Sequence, residues 1–95
     1  MKDREISVVV IAHLIEGYYD NDKLKISSYR NFIEESFKRT DLTVQLLNLK
    51  DRDEAISLAE SLITEYTNKG EERSARILRR AISEKKDNES VITLD

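Results

Sequence analysis

"LAESLITEYTNKGEERSARILRRAI", residues 58–82, is the stretch on which the fold turns. Its first half, read together with Ala55, places Leu58, Ala59, Leu62, Ile63 and Tyr66 three or four residues apart, the spacing of one helical face. Gly70 then stands where a left-handed C-terminal cap is needed, and a residue without Cβ takes that conformation cheaply. Glu71 and Glu72 come next, at the start of a second helical pattern, where acids favour the positive end of the helix. In that second half Ala75, Leu78 and Ile82 share a narrow arc, and Arg73, Arg76 and Arg80 lie on the opposite side. Two helices joined by a glycine turn predict an antiparallel hairpin. Upstream, Asp51 followed by Glu54 resembles a capping box for its first arm.

Working back from the hairpin, Thr40 or Asp41 can cap a short helix through Leu42, Leu46 and Leu49. Residues 22–39 repeat Ile26, Tyr29, Ile33 and Phe37 at helical spacing. "GYYDND" (17–22) reads as a turn in which Asp20 or Asp22 caps the helix over 22–39, with Gly17 as punctuation. Segment 5–17 sets Ile6, Val9, Val10, His13 and Leu14 on one helical face, although the β-branched run 8–11 also fits a buried strand. There is no proline to interrupt any of this. The expected architecture is all-α: a bundle of four or five helices ending in an antiparallel hairpin, with residues 1–86 as one domain. Residues 87–95 read as a polar tail or the start of a linker, in which "VITL" (91–94) is a strand or part of that linker.

Ninety-five residues make a single domain with a modest core. With 37% charged and 39% apolar residues, long solvated helix faces are expected. The chain has no cysteine, which excludes disulfides and thiolate metal sites. "ISVVVIAHLI" (6–15) is too short to span a bilayer and lacks a signal-peptide cleavage region. A cytoplasmic protein without a membrane segment is the expectation.

Chemistry is sparse. No phosphate-cradling G-x-x-x-x-G-K-[ST] loop occurs. His13 is the sole histidine, no nucleophile motif accompanies it, and a buried, hydrogen-bonded core residue is the better reading. Asp20, Asn21 and Asp22 superficially resemble a calcium loop, but Leu24 and Lys25 stand where ligands are needed, so helix capping is preferred. Glu34–Glu35 and Asp53–Glu54 read as solvated helix faces. Neither an enzyme, a cofactor nor a metal is expected.

The net charge of −3 conceals a split. Residues 68–86 hold seven bases (Lys69, Arg73, Arg76, Arg79, Arg80, Lys85, Lys86) against Glu71, Glu72 and Glu84, so that segment is +4 and the remainder −7. Such asymmetry marks electrostatic docking, to an outside partner or within the fold. The candidate partner-binding residues are therefore Arg73, Arg76, Arg79 and Arg80. Three readings stay open for them: pairing with acids such as Glu60 or Glu65 on a solvated face, docking to protein, and contact with nucleic-acid phosphates. Acids at the start of the last helix and an acidic overall balance oppose duplex binding. A protein partner is expected, a second copy of the chain included.

The spacing Leu62, Tyr66, Gly70, Ala75 is similar to a tetratricopeptide-type hairpin, except that Arg79 replaces an expected aromatic and no second copy appears upstream. More broadly, residues 58–82 together with "AHLIEGYYDND" (12–22) resemble the helical N-terminal domain of bacterial AAA-type ATPases. That resemblance implies a non-catalytic domain that recruits a substrate or partner protein to the ATPase, with nucleotide motifs beyond Asp95. Relative to the simplest form of that domain, residues 39–50 are an insertion.

Overall fold

A computed structural model describes residues 4–82, and over them the chain is all-helical, five helices with no strand. They are α1 (Val8–Tyr19), α2 (Lys23–Ser36), α3 (Asp41–Leu47), α4 (Arg52–Asn68) and α5 (72–82, the last described residue). The expected tail at 87–95, "VITL" and the charges at Glu84, Lys85 and Lys86 lie outside the described residues.

Each of the first four helices begins on a side-chain oxygen that accepts a backbone N–H of the first turn. Ser7 serves α1, Asp22 serves α2, Thr40 serves α3 and Asp51 serves α4. Around Thr40 the arrangement is reciprocal: Thr43 N–H donates to Thr40 Oγ1 at 3.3 Å, and Thr40 N–H donates to Thr43 Oγ1 at 2.7 Å. The box expected at Asp51 is only half formed. Glu54 N–H donates to Asp51 Oδ1 at 2.9 Å, but the Glu54 carboxylate accepts from Lys50 N–H, one residue too early for a capping box.

The hairpin turn forms as the glycine demands. Gly70 has φ +82°, Glu71 N–H donates to Tyr66 O at 2.8 Å, and Gly70 N–H donates to Thr67 O at 3.1 Å. The same motif closes α1, with Asn21 (φ +56°) in the left-handed position, Asp22 N–H on Gly17 O and Asn21 N–H on Tyr18 O. Gly17 is therefore not the punctuation expected of it. It lies buried inside α1, where a Cβ would stand 3.1 Å from Ile26 Cγ1, so its role is to let α1 and α2 approach.

α1 is the central element, packed on both α2 and α4, while α3 packs on α2. Residue pairs down the α1–α2 seam run in opposite senses: Gly17 with Ile26, His13 with Tyr29, and Arg4 O with Lys38 N–H. These two helices are antiparallel. The core joins Ile11, Leu14, Ile15 and Tyr18 of α1 to Ile33, Phe37 and Leu46. It continues through Ala55, Ala59 and Leu62 of α4 to Leu78 and Ala81 of α5.

The segment 8–19 is the expected helix and not the alternative strand. One expectation for α1 is corrected: its buried face is not the stripe through Val9 and His13. The inward residues are Ile11, Leu14, Ile15 and Tyr18, a rotation of about a third of a turn. Because residues 8–15 are apolar almost all round, periodicity leaves the phase of this helix undetermined. Val9 accordingly remains 48% exposed.

Candidate functional site

The arginines of α5 stand on the side away from the core. Ala75, Leu78 and Ala81 are buried beneath them, and Arg73, Arg76, Arg79 and Arg80 are exposed. At 100° per residue Arg73, Arg76 and Arg80 fall within about 60° of one another, with Arg79 about 60° beyond. None of the four makes an ion pair with another described residue. Of the two acids considered as internal partners, Glu65 is engaged elsewhere: Lys69 Nζ lies 3.1 Å from Glu65 Oε2. Glu60 is exposed and forms no ion pair among the described residues.

Arg80 also borders a shallow groove of about 230 Å³ between α1 and α5, with Val9, Ala12, His13, Glu16, Ile77 and Ala81. This is where the misphased face of α1 comes to the surface. His13 is thus not a core residue. Its side chain is 42% exposed, its ring stacks on Tyr29 with centroids 5.2 Å apart, and Nδ1 lies 3.4 Å from Glu16 Oε1. Glu16 in turn holds Lys25 Nζ at 3.1 Å.

A second concavity was not foreseen. A cleft of about 570 Å³ opens between the N-terminal segment, the start of α3 and the α4–α5 turn. Ile6, Val8, Leu42, Leu62 and Tyr66 supply its apolar surface, and Glu5, Asp41, Glu65, Lys69 and Glu71 supply its charges. The Tyr66 phenol is pushed above its usual value near 10, first by burial and then by Glu71 and Glu65, with Lys69 pulling the other way. Lys69 is itself raised, chiefly by its hydrogen bond to Glu65 and by the charge of that carboxylate. The one hint in the sequence was the acidic remainder outside 68–86, to which Glu5, Asp41 and Glu65 belong; nothing local shows that they converge.

Asp22 spends a carboxylate oxygen on Lys25 N–H, 3.1 Å away, and Asn21 is occupied with its left-handed turn. Among the described residues no group of three or more metal-ligating side chains is placed to hold an ion. Also among them, no helix is long and apolar enough to cross a membrane. No family model, curated protein or solved structure matches the chain.

Proposed function

We propose that this chain is a non-catalytic protein-docking domain whose contact surface is the basic exterior of α5. The observation that carries this reading is that Arg73, Arg76, Arg79 and Arg80 are exposed together and none pairs with a described acid. Guanidinium groups suit such a surface because their long apolar stems add contact area and their planar forks match carboxylates. A stripe of them on a packed helix meets an acidic protein face without reorganising the fold. The overall charge of −3 disfavours a nucleic-acid duplex as the partner. The finer reading, recruitment of a protein to an AAA-type ATPase, rests on the resemblance carried by residues 12–22 and 58–82.

Charge reversal tests this. With Arg73→Glu, Arg76→Glu and Arg80→Glu combined, affinity capture on the immobilised domain should lose a partner held by wild type, while circular dichroism stays helical. Duplex DNA offered at about physiological salt should bind neither protein. Micromolar binding of DNA by wild type, removed by the reversal, replaces the docking reading with a nucleic-acid one. If capture is unchanged and DNA does not bind, the stripe is a solvated face. Recovery of an AAA-type ATPase, or of a protein bound to one, among the captured partners would support the finer reading.

A further inference from the structure

We propose that the cleft beside the α4–α5 turn is a second docking site, one that takes a basic peptide segment with an apolar anchor residue. Ile6, Val8, Leu42 and Tyr66 are half-buried, so their carbon surfaces are packed from beneath and open from above. Around them stand four carboxylates and a single ammonium group. Lys69 is committed to Glu65, while Glu5, Asp41 and Glu71 form no ion pair with any described residue. Among the described residues the cleft lining thus carries a net charge of −3 above an apolar floor.

That combination selects the occupant. A cationic group alone would satisfy the rim and leave the aliphatic floor wet, and an apolar group alone would leave the carboxylates unpaired. A polypeptide that carries lysine or arginine on either side of a bulky apolar residue meets both demands. Complementary charge speeds encounter, and the apolar contact slows release. The site is also separate in chemistry from the arginine stripe, since the two surfaces have opposite charge and select opposite partners.

The experiment is fluorescence anisotropy on the full chain with a labelled peptide in which lysines flank a central leucine. Saturable, salt-sensitive binding is expected. It should weaken by about tenfold or more when Glu5→Gln, Asp41→Asn and Glu71→Gln are combined, because each removes a rim charge without touching the core. Replacing the peptide's leucine by serine, or its lysines by glutamates, should likewise weaken binding. A control variant that loses the same charge elsewhere, Glu34→Gln with Glu35→Gln and Asp53→Asn, should bind as wild type does. Equal weakening in that control overturns the proposal in favour of unspecific attraction, and indifference to the leucine removes the anchor. Absence of peptide binding overturns it as well. If the peptide fails and sedimentation instead finds a salt-sensitive dimer that the rim variant dissolves, the cleft belongs to a second copy of the chain.

Discussion

Tyr66 shows how one residue responds to its setting. Its ring forms part of the cleft wall, and burial together with two nearby carboxylates disfavours the phenolate. The folded protein therefore holds the phenolic proton to higher pH than the unfolded chain does. This contribution to stability is fully present below pH 10 and is lost as pH rises through the folded value. Lys69 acts in the same direction near its own usual value of 10.5, since its ammonium form is held by Glu65 in the folded state. Thermal melts between neutral pH and pH 11 should show a decline at the alkaline end that is shallower in Tyr66→Phe. An identical decline in wild type and variant would show that Tyr66 does not carry it. Chain periodicity identifies Tyr66 as a core-facing residue, and its electrostatic neighbours are local too: Glu65 precedes it directly and the Gly70 turn brings Glu71 back to it.

Among the elements, the α4–α5 hairpin depends most on a single backbone position. Gly70 has φ +82°, and a Cβ there would meet nothing within 4 Å. Substitution therefore tests chiefly backbone conformation, since the added Cβ meets no clash. Gly70→Val should cost about 1–2 kcal/mol, the cost of placing a β-branched residue in the left-handed region. Chemical denaturation reads this directly, and a variant as stable as wild type would mean the turn relaxes to another conformation. The contrast with Gly17 is informative. Both glycines looked like punctuation in the sequence, yet one closes a helix and the other sits within a helix at a tight crossing. At the true end of α1 the left-handed residue is Asn21, whose short polar side chain tolerates that conformation better than most.

At the scale of the whole molecule, one buried hydroxyl ties three parts together. Tyr18 Oη of α1 donates to Leu49 O in the α3–α4 connection at 2.9 Å, and it accepts from Arg30 of α2 at 3.1 Å. Arg30 reaches the same carbonyl at 3.4 Å. Tyr18→Phe removes the hydroxyl and leaves Leu49 O only the longer bond, so a loss of about 1–3 kcal/mol is expected. The substitution keeps the ring in the core, so helicity should persist while the denaturation midpoint falls. An unchanged midpoint would show that Arg30 alone satisfies the carbonyl. Nearby, Arg52 lies over the Tyr19 ring at 4.3 Å, and Arg4 lies over Phe37 at 5.4 Å, so arginines of the outer segments also pin the bundle.

Local chemistry alone determined the helices, most of their caps and the hairpin. Spacing of three and four residues, Asp22, Thr40, Asp51 and the left-handed Gly70 act within a few residues of one another, so their consequences can be read along the chain. The exposure of the α5 arginines emerged in the same way, from their position opposite Ala75 and Leu78. Tertiary structure decided what depends on which surfaces meet. It set the phase of α1, whose nearly uniform apolar run has no preferred side until α2 and α4 close on it. It moved His13 from the core to the surface beside Tyr29. It also assembled the acidic cleft, because Glu5, Asp41 and the Glu65–Glu71 turn come from three segments distant in sequence and converge only when the helices pack.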